Sequence, residues 1–265
     1  MKNLFVIASL LVSMNAIAQS VEDAEFLFED RGEDVANAVE AAEIYGDLAA
    51  VSTEKGEKAN LLYRQSEALY YVGTQAKSKD DQEKIHNNGV KVSEAAISLL
   101  EGQVDNADQK HTLTEALFFW GANKGKWGAA RGVLSSLGAI GPLKKSMNKI
   151  LALNEKVEKF GADRILGRLY AKIPKIGYGG SKKKSLKHLK KAFENTLIPG
   201  GTVSVHGTNN IYYAEILEET DNTAKACEVL KEFSVQDPET LLETRIPETT
   251  KEIEDAKTLM TKFKC

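Results

Sequence analysis

A chain of 265 residues can hold one large domain or two small ones, and no Pro/Gly/Ser-rich linker divides it. Charged residues make up 28 % and aromatics only 7 %, a balance that suits stacked amphipathic helices and argues against a sheet protein; Val203-Ser204-Val205 is the nearest approach to a strand. The net charge is −3, and the four scattered histidines (His86, His111, His188, His206) and two cysteines lack the spacing of a metal site.

The first 18 residues read as a secretory signal. Lys2 precedes the apolar run Leu4 to Met14, and Ala16-Ile17-Ala18 is an A-x-A cleavage site. The mature chain is then expected to begin at Gln19, in the periplasm or outside the cell. No cysteine near the cleavage site offers a lipid acceptor. No later segment is apolar enough to cross a membrane.

Residues 21–50 alternate apolar and acidic positions at helical spacing. Phe26, Leu27, Val35, Val39, Ala42 and Tyr45 mark the expected buried sides, and Gly32 breaks the segment into two helices. Further helices are expected at 57–75 and 81–101, the latter capped by Asp80-Asp81. Thr112 opens a run that is apolar on nearly all sides (Leu113, Ala116, Leu117, Phe118, Phe119, Trp120), so it is placed at the centre of the stack. Asn123-Lys124-Gly125-Lys126 reads as a turn, followed by a small-residue helix from Trp127 to Leu137. Gly141-Pro142 begins the next helix.

Residues 163–192 read as one helix-turn-helix unit of a tetratricopeptide-like repeat. Leu166, Gly167 and Tyr170 mark its first helix; Ser185, Leu189 and Ala192 mark its second. Tyr213, Ala214 and Leu217, then Ala226 and Leu230, mark the next repeat. A closing helix at about 248–264 caps the array. The fold class is therefore all-α: antiparallel helix pairs of degenerate tetratricopeptide-like repeats, stacked in a superhelix as a single domain over 19–265.

The repeat at 163–192 carries an insertion with Pro174, Gly177, Tyr178, Gly179, Gly180 and Ser181. It is not a P-loop, since no G-x-x-x-x-G-K-[ST] occurs. It reads as a bulged turn with Ser181 as helix cap, on the face where repeat insertions often bind partners. Lys182, Lys183 and Lys184 follow, the densest part of a basic stretch from Lys144 to Lys191. The N-terminal region and the tail are acidic. This patch reads as a solvated helix face, as a site for an acidic partner, an anionic ligand or a phospholipid head group, or as a self-association surface between the basic middle and the acidic ends. No aromatic interleaving for base stacking accompanies it, so nucleic acid is not an expected partner.

Of the aromatics Phe118, Phe119, Trp120, Trp127, Tyr212 and Tyr213, most are expected in the core, with pocket lining as the alternative; Trp127 is the better candidate for partial exposure. Cys227 and Cys265 permit one disulfide; a buried thiol and a free C-terminal thiol are the equal alternative. No G-x-S-x-G, H-E-x-x-H or C-x-x-C-H occurs, and no cofactor motif is present. The many carboxylate pairs read as solvated faces. An enzyme would need a cleft holding carboxylates or histidines of displaced pKa, and none is expected.

The stretch Ala116-Leu117-Phe118-Phe119-Trp120, with Asn123 and Gly125-Lys126-Trp127, resembles the T-component (TatT-like) family of TRAP transporters. The resemblance continues through Ile165-Leu166-Gly167-Arg168-Leu169-Tyr170, Pro174, Gly179-Gly180-Ser181, Lys184-Ser185 and Tyr212-Tyr213-Ala214. It spans Ala116 to Phe233, somewhat under half the chain. It implies partnership with a periplasmic solute-binding protein, a small apolar ligand that bears a carboxylate, and a homo-oligomer with a central channel or pores. The candidate partner or ligand surface comprises Trp127, Tyr170, Tyr178, Gly179, Gly180, Ser181, Lys182, Lys183, Lys184 and Tyr212.

Overall fold

The computed structural model describes residues 19–132 and 134–265. The expected signal segment lies outside the described residues. Among those residues the chain forms eleven α-helices: α1 (Val21–Glu29), α2 (Val35–Val51), α3 (Lys55–Gln75), α4 (Lys79–Leu100), α5 (Ala107–Arg131), α6 (Ile140–Asn154), α7 (Gly161–Lys172), α8 (Lys182–Glu194), α9 (Gly207–Glu218), α10 (Thr223–Ser234) and α11 (Ile246–Phe263). The only strand-like feature among them is an isolated bridge between Leu197 and Ser204, next to the sequence Val203-Ser204-Val205.

Helix starts follow local chemistry. The Ser20 hydroxyl accepts from the Asp23 N–H, and the Asp23 carboxylate accepts from the Ser20 N–H, a reciprocal capping box. Asp34, Asn106 and Ser181 cap α2, α5 and α8 through single side-chain bonds. At α4 the cap is Ser78, whose hydroxyl accepts from the Asp81 N–H. Asp80 and Asp81 lie inside the first turn instead, where they complement the helix dipole.

The helices pack in neighbouring pairs and two layers. Besides touching its neighbour in sequence, α3 packs on α5, α5 on α7, α7 on α9 and α9 on α11. These odd-numbered helices form an inner wall, with α4, α8 and α10 outside it and only the first turn of α6 reaching its inner face. Every residue from Thr112 to Gly121 is buried, so α5 does occupy the centre of the stack. In the α7–α8 pair, Leu166, Gly167, Ser185, Leu189 and Ala192 are buried. A Cβ on Gly167 would lie 2.5 Å from Leu189 Cγ, so the glycine sets how closely these helices approach.

Two expectations are corrected. First, Asn123 to Lys126 is not a turn, because α5 runs unbroken to Arg131 and a short 3-10 segment, Leu134–Ala139, follows. The Asn123 side chain explains the continuity. It is fully buried and donates to the Ser66 carbonyl, the Ser66 hydroxyl and the Phe119 carbonyl, while its oxygen meets His86 Nδ1 at 2.9 Å. These bonds tie α5 to α3 and α4 and override a turn-forming stretch of four residues. Second, Phe26, Val35 and Val39 are exposed; in this first pair Ala24, Ala41, Ile44 and Tyr45 form the core.

The two ends of the array meet. Gly32 ends a 3-10 turn (Asp30–Gly32) after α1 and has no room for a Cβ, which would fall 2.6 Å from Pro247 Cγ. The neighbouring Arg31 is buried. It makes a two-pronged ion pair with Glu248 (3.1 and 2.9 Å), donates to the Phe28 and Thr244 carbonyls, and accepts from the Tyr71 hydroxyl through its own carbonyl. The helical array is therefore closed into a ring between α1, α3 and α11. A Cys227–Cys265 disulfide fastens the end of α11 to α10.

Candidate functional site

Closing the ring leaves a cavity of about 460 Å³ inside the inner wall. That volume suits a small organic molecule. Its lining comes from α3 (Glu67, Tyr70, Tyr71), α5 (Phe118 to Ala129), α6, α7 and α9, with Arg245 and Glu248 from the last segment. Gly125, Ala129 and Lys172 are exposed members of the lining, so the cavity opens to solvent along that edge. Phe118, Ala122, Gly125 and Ala129, spaced by three or four residues, share one face of α5, and their neighbours Phe119, Gly121, Lys124, Lys126 and Gly128 widen it.

The wall is amphipathic. Phe118, Phe119, Leu143, Ile165 and Leu169 supply an apolar side. Against it stand charged groups with little local compensation. Arg164 is buried, and its Nη1 donates to the Glu158 and Lys159 carbonyls and to Asn209 Oδ1, none of them a carboxylate. Lys126 has no carboxylate partner among the described residues; its ammonium lies 5.9 Å from the Tyr70 ring centroid. Tyr70 raises the Lys126 pKa against the opposing effect of burial. Both other lining arginines are paired: Arg245 with Glu252 at 3.3 Å, and Arg168 with Glu215 while its guanidinium covers the Tyr212 ring at 4.4 Å.

On the acidic side, burial pushes the Glu67 carboxyl up to about 8, with Glu158 adding to the effect and Arg31 and Arg64 opposing it. Glu115, beyond the cavity wall, is pushed up to about 9 by burial and then by Glu158 and Glu67. Burial and mutual repulsion thus disfavour the charged forms of Glu67 and Glu115. His206 lines the cavity with neither ring nitrogen hydrogen-bonded. Burial, then the charges of Arg164 and Arg245, lowers its pKa well below the usual value, so its imidazole is neutral.

Glu158 reaches the cavity from an unusual backbone. Glu158, Lys159 and Phe160 all have positive φ (47°, 52° and 61°) immediately before α7. Left-handed turns of non-glycine residues cost roughly 1–2 kcal/mol each. Arg164, one turn into α7, binds the first two carbonyls of this turn, and Asn209 Nδ2 binds the second at 3.3 Å. The buried arginine therefore shapes the strained turn that carries Glu158.

The expected surface is divided into three places. Tyr212 is in the cavity wall. Trp127 is half-buried on α5 outside it, with Lys124 at 3.9 Å and Arg131 at 5.2 Å from its ring. Tyr170 lies between α6, α7 and α8, stacked on His188 and approached by Lys144 and Lys184. It stands at the base of the loop with Tyr178, Gly179, Gly180 and Ser181, beside the exposed Lys182, Lys183 and Lys184. Ser181 does cap α8, its hydroxyl accepting from the Lys184 N–H at 3.2 Å.

Sequence reasoning missed Glu67, Lys126, Glu158, Arg164 and His206. It also expected no cleft with displaced carboxyl or imidazole groups; the cavity holds both. A usable signal was present in Arg164 and Lys126, charges set on otherwise apolar helix faces. Among the described residues, no group of three or more His, Cys, Asp or Glu side chains is placed to hold a metal ion, and no helix is long and apolar enough to cross a membrane. No protein-family model matches the chain, and no curated protein matches it in sequence.

Proposed function

We propose that this chain is a periplasmic accessory protein of the T-component kind, which docks a transporter's solute-binding protein and holds a small, largely apolar ligand in its central cavity. The observation that supports this reading is convergence. Three of the stretches that carry the family resemblance are distant in sequence, yet each supplies the cavity wall: Phe118, Phe119, Gly125 and Lys126; Ile165, Arg168 and Leu169; Tyr212; the others, Pro174, Gly179-Gly180-Ser181 and Lys184-Ser185, lie outside it. Arg164 and Lys126 could meet an acidic group on such a ligand, and the phenyl and branched side chains its apolar part.

The test is native mass spectrometry of the protein from Gln19 onward, paired with recovery of its partners from an envelope extract. A retained small molecule and a co-purifying solute-binding protein are expected. An empty cavity with only unrelated envelope proteins recovered would favour a general helical-repeat scaffold for protein–protein interaction. The Glu67 carboxyl, held protonated near neutrality, supports a second reading in which the cavity does acid–base chemistry on its occupant. Chemical change of the retained molecule on incubation, abolished by Glu67→Gln, would establish that reading; a molecule released unchanged counts against it.

A further inference from the structure

The loop between α7 and α8 presents an apolar tip in the most basic part of the molecule. From Lys144 to Lys191 there are fifteen lysines and arginines against three acids. Lys145, Lys175, Lys183, Lys184 and Lys187 are exposed and have no carboxylate partner among the described residues. At the loop tip Ile176 is 90 % exposed and Tyr178 40 % exposed.

This is not a loose loop. Its base is closed by Ser181 N–H donating to the Tyr170 carbonyl (2.9 Å) and Gly180 N–H to the Pro174 carbonyl (3.0 Å). A Cβ on Gly180 would strike the Ile173 carbonyl oxygen at 2.1 Å, so glycine is required there. From α6, Lys144 donates to the Tyr178 carbonyl at 3.0 Å. The structure holds an isoleucine out in water on a braced turn with lysines on both sides.

We propose that this surface docks on an anionic phospholipid bilayer, with Ile176 entering the acyl boundary, Tyr178 at head-group depth and the lysines over the lipid phosphates. Charge complementarity selects this occupant. Two apolar side chains offer too little area for the buried core of a stable protein interface. A small apolar wedge, an interfacial tyrosine and a lysine field match the recognised devices of interfacial binding. Lys172 and Ile173, directly before the loop, line the cavity, so docking would set the cavity's edge beside the bilayer.

Flotation with vesicles tests this without any transporter component, so its failure is separable from failure of the function proposed above. The chain from Gln19 onward should float with phosphatidylcholine vesicles containing phosphatidylglycerol, not with phosphatidylcholine alone, and release as salt rises. Changing Lys175, Lys183 and Lys187 to glutamine should weaken binding roughly fivefold per residue. Ile176→Asp should weaken it about tenfold or more. All four positions are exposed, and an unchanged helical circular dichroism spectrum verifies the fold. The emission of Tyr178→Trp should shift to the blue on anionic vesicles and be quenched by brominated lipid. Absence of flotation, equal flotation of the variants, an unmoved tryptophan spectrum, or capture by acidic soluble proteins alone would each overturn the proposal.

Discussion

Glu67 is a cavity residue whose chemistry departs far from its sequence appearance. On an amphipathic helix it looks like one more solvated acid, but folding places it in the cavity and raises its pKa to about 8. The folded protein then holds a proton that the unfolded chain has released by pH 5 to 6. The associated stability is fully present below the unfolded pKa and is lost as pH rises through 8. We expect Glu67→Gln to melt close to the parent near pH 4.5 and above it at pH 8 to 9. Thermal melts at a series of pH values check this, and parallel curves for the two proteins would refute it. Arg164 makes a second residue-scale case. Arg164→Met keeps the stem's packing but removes the donor to the Glu158 and Lys159 carbonyls. With the Glu158 carbonyl and Asn209 Oδ1 left short of a donor, and the Lys159 carbonyl held only by Asn209, about 2–3 kcal/mol should be lost, measured by urea unfolding.

The elements themselves were largely legible in the sequence. Helical spacing, caps and small-residue positions located the α7–α8 and α9–α10 pairs and the closing helix to within a few residues. The failures share one cause. The α5 segment at Asn123-Lys124-Gly125-Lys126 has the local chemistry of a turn, and only the buried partners of Asn123 on α3 and α4 keep it helical. Those partners lie 37 and 57 positions away, beyond any local window. The cavity residues were illegible for the same reason, because Glu67, Arg164 and Arg245 become neighbours only once the ring closes. Asn123→Ala should cost about 2–3 kcal/mol by leaving the Ser66 and His86 groups short of partners. Amide hydrogen exchange should rise first in α5 beyond Phe119; uniform exchange along α5 would show that the network does not set its continuity.

At the scale of the molecule, closure is the feature that separates this array from an open solenoid. An open array is held by nearest-neighbour contacts, and its ends fray first. Here Arg31 and Glu248 join the first and last units. Arg31→Ala leaves Glu248 without its buried partner and should cost about 3–5 kcal/mol. Protease nicking should then appear at both ends of the chain, where the parent resists. The Cys227–Cys265 bridge acts on the same closing element. With its cysteines 38 positions apart, its reduction should remove about 4 kcal/mol in the chain-entropy description, seen as a lower melting temperature in reductant.

Gly32 against Pro247, beside the Arg31–Glu248 pair, also bears on how such a chain can change over generations. Repeat arrays commonly grow or shrink by copying or deleting a unit, because each added pair needs only its neighbours. In a closed array a copied pair would force the two ends apart and strand a buried arginine from its half-buried glutamate. The number of units is thereby frozen, and innovation is confined to what lengthens a turn without entering the ring, as the loop around Ile176 does.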